Sequence, residues 1–197
     1  MASGLKSVKK FKGDATAIMN ENYSIKIAGC ERKLPICKIN ENLSIAAFIM
    51  FGDVELTKNV AQELLKLCPE YDVLITAEAK GIPLCYEMAR QSNKRYVVAR
   101  KSVKLYMKNA LHVNVKSITT EKVQDLYLSE DEIEYVKNKR VLIVDDVIST
   151  GESLKAIEML VQESGGNIVG RACALVEGDA TIRSDLIYLG KLPIFKK

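Results

Sequence analysis

The sequence predicts an α/β fold, in which helices cover both faces of a mainly parallel central sheet and a small β-rich segment lies at the N-terminus. From Asp53 onward, apolar strand-like segments alternate with segments of helical periodicity, the order that produces parallel sheets. Residues 1–50 instead contain stretches in which apolar and polar residues alternate, as in half-exposed strands. The 197 residues are 48% hydrophobic and 27% charged, so the chain suits a single domain with one core.

The N-terminal segment is predicted to contain a hairpin. The stretches "YSIKIAG" and "KLPICKI" lie on either side of the tripeptide "CER", Cys30–Arg32, and both have a period of two. A helix follows, because Asp53 can cap it and one helical face is largely apolar. That face carries Val54, Leu56, Val60, Ala61, Leu64, Leu65 and Leu67.

The next segments repeat the order of strand, loop and helix. Residues 73–76 are predicted to be extended, residues 78–81 to form a loop, and a helix to begin at Pro83, since proline is favoured in a first helical turn. The stretch "KRYVVARK" predicts another strand, and "HVNVKSI" and "VQDLYL" a strand pair. Ser129 and Glu132 have the spacing of a capping box.

The most informative stretch is "VLIVDDVISTGES", residues 141–153, in which an apolar strand leads into two adjacent carboxylates. Burying Asp145 and Asp146 side by side costs several kcal/mol unless cations or hydrogen bonds compensate, so the pair indicates a binding site. The loop from Ser149 to Gly151 then opens a helix, whose free N–H groups suit a phosphate. The carboxylates can accept hydrogen bonds from sugar hydroxyls or hold Mg²⁺. For an isolated Asp-Asp pair, helix capping is the alternative.

Several other classes of function receive no support. The sequence has neither a Walker-type phosphate loop nor a Gly-x-Gly-x-x-Gly dinucleotide motif. Its five cysteines lack Cys-x-x-Cys spacing, so we expect reduced thiols and neither disulfides nor a zinc site. The net charge of +4 is not gathered into a basic stripe, so no nucleic-acid partner is expected. No apolar run is long enough to span a bilayer, and we expect a cytoplasmic protein without a membrane partner.

Three polar residues each follow a predicted strand: Glu78, Arg100 and Asp145. In parallel sheets, ligands bind beyond the carboxyl ends of the strands. We therefore expect these residues to converge at one edge of the sheet.

With these residues in view, "VLIVDDVISTGES" resembles the signature of the type I phosphoribosyltransferases, which use phosphoribosyl pyrophosphate. The stretch "TAEAKGIPL" is similar to the pyrophosphate loop of the adenine and xanthine phosphoribosyltransferases, and "VVARKSVKL" to the start of the family's flexible catalytic loop. The matches lie between Leu74 and about Leu175, half of the chain. The resemblance implies a purine phosphoribosyltransferase, which transfers ribose 5-phosphate to a purine base, adenine or xanthine, and releases pyrophosphate.

The resemblance also implies residue roles. Asp145 and Asp146 would hold the ribose hydroxyls and, through water, the cofactor Mg²⁺; with Lys104 they are the residues assigned to catalysis. The loop 149–153 would cradle the 5-phosphate, residues 79–81 would bind pyrophosphate through backbone N–H groups, and the basic residues after Ala99 would neutralise it as it leaves. The donor-binding residues implied in this way are Glu78, Ala79, Lys80, Gly81, Arg100, Lys101, Lys104, Asp145, Asp146, Val147, Ser149, Thr150, Gly151, Glu152 and Ser153.

The family completes its base pocket with a variable hood. Here residues 1–50 would form this hood, with help from the C-terminal tail, and residues 51–197 would form the phosphoribosyltransferase core. Phe48 or Phe51 could stack on a purine. For either one alone, a place in the core is the favoured alternative. The adenine enzymes usually carry Tyr-x-Leu-Glu-Tyr-Gly after the loop, whereas this chain has "EKVQDLYLSEDE", so the base stays open between adenine and xanthine.

A mobile loop of about residues 101–125 would shield the reacting sugar from water, with an ordinary solvated β-excursion as the alternative. His112, the single histidine, is predicted to be a surface strand residue and not an acid-base group, because spacing identifies no carboxylate partner for it.

The alternative function is a noncatalytic sensor of phosphoribosyl pyrophosphate, because bacterial purine repressors carry the same domain. Such regulators normally add an N-terminal DNA-binding domain, whereas this N-terminal segment is predicted to be a hairpin. Lys101 and Lys104 are present, which favours catalysis. The resemblance also implies a homodimer.

Overall fold

The computed structural model describes residues 18–116 and 123–196. The strands in these ranges are β1 (Ile18–Ile27), β2 (Cys30–Asn40), β3 (Leu43–Ala46), β4 (Val73–Ala77), β5 (Arg95–Ala99), β6 (Leu111–Lys116), β7 (Val123–Leu128), β8 (Arg140–Ile148), β9 (Asn167–Glu177), β10 (Ile187–Leu192) and β11 (Ile194–Lys196). The helices are α1 (Val54–Leu65), α2 (Ile82–Ser92), α3 (Glu130–Val136) and α4 (Glu152–Glu163), with a 3₁₀ helix at Gly178–Ile182.

The central sheet has the strand order β10-β9-β8-β4-β5, and every neighbouring pair in it is parallel. All five residues of β4 are buried, as expected of a strand covered on both faces. One face packs Leu74 and Leu142 against α1 and α2. The other packs Ile75 and Ile143 against α4. The predicted α/β fold is confirmed.

The N-terminal strands β1, β2 and β3 form an antiparallel sheet, and β11 from the C-terminal end pairs with β3. The predicted hairpin is therefore present, but its turn is not at "CER". The chain turns at Ala28 and Gly29, both with positive φ (48° and 78°), and Ile27 pairs with Cys30. This two-residue turn matches the twist of the flanking strands, so Cys30–Arg32 belong to β2. We call the sheet of β1, β2, β3 and β11 the hood sheet.

The hood sheet is joined to the core through Asp53, which caps α1 as predicted. Its Oδ1 accepts a hydrogen bond from the backbone N–H of Leu56 at 3.1 Å. Arg32 on β2 donates to both oxygens of the same carboxylate, at 2.6 and 2.9 Å. The guanidinium holds the pKa of Asp53 below its ordinary value. One carboxylate thus satisfies a helix terminus and an arginine of the hood sheet.

The hairpin β6–β7 lies against α4, on the side of the sheet that α4 covers. Val113, Val115, Leu126 and Leu128 are buried there. Residues 117–122 lie outside the described residues. The segment predicted to be mobile, 101–125, therefore includes β6 and the start of β7, and its mobility remains a prediction.

The cysteines are free thiols, as predicted, and three of them (Cys30, Cys85 and Cys173) are buried. Burial raises the pKa of the Cys68 thiol to about 11, which keeps it protonated at neutral pH. In the described part of the chain, no helix has both the length and the apolar character that crossing a bilayer demands.

Candidate functional site

The candidate site lies at the carboxyl edge of the central sheet, where β4, β5 and β8 end close together. Register sets this arrangement: Ala77 pairs with Ala99, and Ile75 pairs with Ile143, two residues before Asp145. The residues that follow the strands are joined directly. The backbone N–H of Glu78 donates to the Ala99 carbonyl at 2.9 Å, and that of Lys101 to Glu78 Oε2 at 2.9 Å. The structure thus brings the predicted strand-end residues to one edge.

The acid pair lies inside β8 and not beyond it, since the strand continues to Ile148. Asp146 is 2% exposed, and its Oδ2 accepts no hydrogen bond, although Lys80 Nζ lies 3.4 Å away. The backbone N–H of Asp146 donates to Asp145 Oδ1 at 2.9 Å. Burial, and then the neighbouring Asp146 carboxylate, raise the pKa of Asp145. A ligand group beside the two carboxylates should therefore be neutral, such as a hydroxyl, or positively charged.

The loop between β4 and α2, residues 78–81, passes directly over β8. A Cβ at Gly81 would lie 2.3 Å from Thr76 Oγ1 and 2.8 Å from Asp145 Oδ1, closer than side-chain atoms can approach. The peptide between Glu78 and Ala79 is cis. Gly81 is therefore needed for packing, in addition to the pyrophosphate contact expected from the sequence. The same loop places Lys80 next to Asp146.

The second loop, between β8 and α4, encloses a cavity of about 50 Å³. It is lined by Asp145, Val147, Ile148, Ser149, Thr150, Gly151, Glu152, Ser153 and Leu154. The cavity is small and is lined by hydroxyl and backbone groups, which suits a group as small as a phosphate. Gly151 has φ +79°, a left-handed conformation that favours glycine, and α4 begins directly after it. The first N–H groups of the twelve-residue helix therefore face this loop.

The basic segment after β5 begins at the same edge. Arg100 exchanges two backbone hydrogen bonds with Tyr127, at 3.0 and 2.9 Å, and Lys104 Nζ donates to Ser102 Oγ at 2.9 Å. The hydrogen bond from the Lys101 N–H, with the charges of Lys104 and Arg100, lowers the pKa of Glu78. The segment thus gathers positive charge beside the first loop.

The two phenylalanines proposed for the base pocket have different environments. Phe48 is 3% exposed and belongs to the core cluster below the hood sheet, whereas Phe51 is 53% exposed. In this conformation only Phe51, of the two, presents its ring to solvent. A role for either one in base binding stays a prediction.

His112 lies on the surface strand β6, as expected, and it has a partner that spacing did not identify. A carboxylate partner exists: His112 Nε2 is 2.7 Å from Asp125 Oδ1, across the hairpin. The imidazole also stacks on Tyr127, with ring centroids 4.5 Å apart. Sequence spacing could not reveal this contact because it depends on the register of β6 with β7.

Two residues near the site were missed from the sequence. Glu177 ends β9, so the rule that selected Glu78 and Asp145 could have found it. Its Oε1 is buried without a hydrogen-bond partner, and burial raises the pKa of this carboxyl while the charge of Lys80 opposes the shift. Arg183 lies beside Gly151, but no pattern in the sequence indicates that position.

Comparison with known proteins shows which family and which relatives the chain is similar to. Residues 54–189 match the family model described as "Phosphoribosyl transferase domain". A segment of 103 residues is 37% identical to an adenine phosphoribosyltransferase of Thermotoga petrophila, and covers 52% of this chain and 58% of that protein. A segment of 132 residues is 30% identical to a xanthine phosphoribosyltransferase of Bacillus mycoides, with coverage of 65% and 66%. A hypoxanthine/guanine phosphoribosyltransferase of Methanococcus voltae is 32% identical over 126 residues, 64% of each chain.

The matched segments thus span less than two-thirds of these relatives. Among solved structures, an adenine phosphoribosyltransferase of Thermoanaerobacter pseudethanolicus superposes with a TM-score of 0.62 at 23% identity. The superposition covers 72% of this chain and 84% of that one. At 23% identity, this superposition shows that the two proteins share a fold.

Proposed function

The chain belongs to the phosphoribosyltransferase family, and from this premise we propose that it is a purine phosphoribosyltransferase. It transfers ribose 5-phosphate from phosphoribosyl pyrophosphate to a ring nitrogen of a purine base. The products are a nucleoside monophosphate and pyrophosphate.

The observation that carries the proposal is the position of the acid pair between the loops 78–81 and 149–153, which we propose bind anions. On one side, residues 78–81 bring Lys80 to within 3.4 Å of Asp146. On the other side, the cavity of about 50 Å³ at the start of α4 is lined by Asp145 and the loop 149–153. A donor with a phosphate at one end and a pyrophosphate at the other needs this order of groups, with sugar-binding carboxylates between two cationic or N–H-rich loops.

The reaction demands charge stabilisation more than a nucleophilic side chain. The bond between the anomeric carbon and the pyrophosphate oxygen breaks, a bond from that carbon to the purine nitrogen forms, and the N–H proton of the base is released to solvent. The sugar becomes positive in the transition state while the leaving group gains negative charge. Asp145 and Asp146 orient the sugar hydroxyls, and the positive charges of Lys101 and Lys104 stabilise the departing pyrophosphate. This assignment keeps the roles predicted from the sequence.

Mg²⁺ is part of the proposal, and the acid pair fits it. Asp146 Oδ2 is buried and accepts no hydrogen bond, so it has lone pairs available for a metal-bound water. Within residues 18–116 and 123–196 no group of three or more acidic, histidine or cysteine side chains is placed to hold a metal. Mg²⁺ is often held by only one or two carboxylates, substrate oxygens and water, so two aspartates suffice. When bound, the ion would offset the negative charge of the pyrophosphate.

The base is proposed to be adenine or xanthine. Relatives bearing these names support the choice, and another relative is named for hypoxanthine and guanine. We also propose a homodimer, which light scattering of the purified protein would test; a monomer at micromolar concentration would contradict it.

The decisive experiment is a product assay with phosphoribosyl pyrophosphate, with and without Mg²⁺. Adenine, xanthine, hypoxanthine, guanine, uracil and orotate are supplied separately, and both nucleotide and pyrophosphate are measured. Turnover with a purine, abolished in the double variant D145N/D146N, supports the proposal. Turnover with a pyrimidine alone would overturn the purine assignment. Donor binding without turnover for any base would favour the noncatalytic sensor.

A further inference from the structure

We infer that Arg183 binds the 5-phosphate of the donor. It supplies the positive charge that the phosphate-binding loop, residues 149–153, lacks. The inference rests on the proposed function, because it concerns the donor-binding loop 149–153. It adds a residue that lies outside the motif and far from it in sequence.

The guanidinium of Arg183 lies close to the loop 149–153. Arg183 Nη1 would lie 3.2 Å from a Cβ at Gly151, so this nitrogen is next to the residue that precedes α4. Nε and Nη2 donate to the two oxygens of Asp185, at 2.9 and 2.6 Å. This bidentate contact fixes the plane of the guanidinium and uses the two nitrogens that face away from Gly151. Nη1 is the nitrogen directed at the loop.

The charge of the loop 149–153 also requires a cation from elsewhere in the chain. The loop 149–153 supplies hydroxyls and backbone N–H groups but no lysine or arginine, and Glu152 adds a negative charge. A phosphate dianion placed there would lack a cation from its own loop. Arg183 is about one-third exposed in its side chain, so solvent screens its charge only partly, while Asp185 and Glu158 balance part of that charge.

Arg183 is held in place by contacts with elements around the loop 149–153. The 3₁₀ helix after β9 returns the chain to the phosphate loop, since the Ala180 N–H donates to the Ser149 carbonyl at 3.1 Å. The Arg183 N–H donates in turn to the Ala180 carbonyl at 3.2 Å. Glu158 of α4 lies 3.9 Å from Arg183 Nη2, and is itself paired with Arg171. Backbone and side chain of Arg183 are therefore both tied to elements that border the loop.

Lys155 is the obvious competitor, because it also follows the loop. Its side chain is exposed on the first turns of α4. An exposed ammonium contributes little compared with a guanidinium held by a bidentate carboxylate. Lys155 therefore serves as a matched control for the loss of one positive charge near this helix terminus.

The test measures binding of each half of the donor by calorimetry, with ribose 5-phosphate and pyrophosphate as separate probes. In R183A the dissociation constant for ribose 5-phosphate should rise roughly 10- to 100-fold, the range for one hydrogen bond to a charged group. That for pyrophosphate should stay within about 2-fold of wild type, because its loop lies on the other side of the acid pair. R183K should retain part of the affinity, and K155A nearly all of it.

Asp185 gives an independent readout as a positioning residue. D185N should weaken ribose 5-phosphate binding less than R183A, and should have almost no further effect in the R183A background, since it acts through the guanidinium. Urea unfolding of each variant separates loss of binding from loss of fold.

The inference would be overturned if R183A bound ribose 5-phosphate as well as the wild-type protein does, or if K155A weakened that binding as much as R183A. It would also be overturned if R183A lost pyrophosphate binding to the same extent, or if the wild-type protein did not bind ribose 5-phosphate. The proposed function fails separately, as absence of turnover by the wild-type protein with any base. Loss of ribose 5-phosphate binding in R183A supports the inference even then.

Discussion

Lys80 Nζ lies 3.4 Å from Asp146 Oδ2, so the loop after β4 and the buried acid pair of β8 form one electrostatic unit. Lys80 is 57% exposed in its side chain while that of Asp146 is 3% exposed, so the contact reaches from solvent into the sheet edge. This cation offsets part of the repulsion between two adjacent carboxylates. Folding therefore still places two carboxylates, Asp145 and Asp146, side by side, and the free energy that this costs depends on pH.

The first prediction concerns that pH dependence. Burial and the neighbouring Asp146 carboxylate raise the pKa of Asp145 in the folded state above the ~3.9 expected for an unfolded chain, so between about pH 4 and that raised pKa the folded state binds a proton that the unfolded state has lost. Stability from this group therefore falls as pH rises. D145N removes this titration. In urea titrations, the free energy of unfolding of D145N relative to that of wild type should therefore increase from pH 5 to pH 8. Turnover should fall roughly 100-fold or more.

Asp72 supplies a control of opposite sign. The side chain and backbone N–H of Arg140 lower the pKa of Asp72 to about 2, so its stabilising contribution is present above about pH 4 and is lost as pH falls. D72N should therefore lose stability relative to wild type at pH 7, and the difference should shrink toward pH 2. If D145N and D72N showed the same trend with pH, the assignment for Asp145 would be wrong.

The second prediction concerns Gly81. G81A places a methyl group 2.3 Å from Thr76 Oγ1 and 2.8 Å from Asp145 Oδ1, and the loop must move away from β8. We expect a loss of about 1–3 kcal/mol in unfolding free energy, the usual range for overpacking, together with a large fall in turnover. G190A is the matched control, because a Cβ there meets only the flexible end of Leu175 at 3.0 Å. Equal effects of the two substitutions on turnover would argue against a special role for the contact with Asp145.

The third prediction assigns Lys104 to the transition state. K104A should lower kcat by roughly 100-fold while the KM for the donor changes much less, because the charge acts on pyrophosphate as it departs. K108A, an exposed lysine of the same segment, should leave both parameters nearly unchanged. A proportional rise in KM with unchanged kcat would instead place Lys104 in ground-state binding.

The fourth prediction separates the two phenylalanines. F51A removes a ring that is 53% exposed, so stability should change by no more than about 0.5 kcal/mol, whereas the KM for the purine should rise if the ring stacks on the base. F48A removes a core ring that is 3% exposed and should cost about 3–5 kcal/mol in unfolding free energy. An unchanged KM for the base in F51A would remove Phe51 from the base pocket.

Several features could be predicted from the sequence because they depend on neighbours within a few residues. The capping of α1 by Asp53 and the bond from the Ser129 N–H to Glu132 Oε2 at 2.9 Å follow local spacing. The helix that starts after Gly151 does as well. Alternating strand and helix patterns also predicted the parallel sheet and hence the common edge of β4, β5 and β8.

Other features depend on which surfaces meet, and the sequence left them open. Phe48 and Phe51 lie three positions apart with the same side chain, yet one is in the core and the other is exposed. His112 contacts Asp125 because the register of β6 with β7 brings the two side chains together.

The sequence by itself determined the α/β order, the acid pair and the two loops that flank it, because hydrophobic periodicity and cap chemistry act over short stretches of chain. Only the tertiary structure decided that Gly81 packs on Asp145 and that Arg183 faces Gly151. Both contacts join segments that are distant in sequence, and a contact of that kind exists only after the sheet register and the path of the chain beyond β9 are fixed.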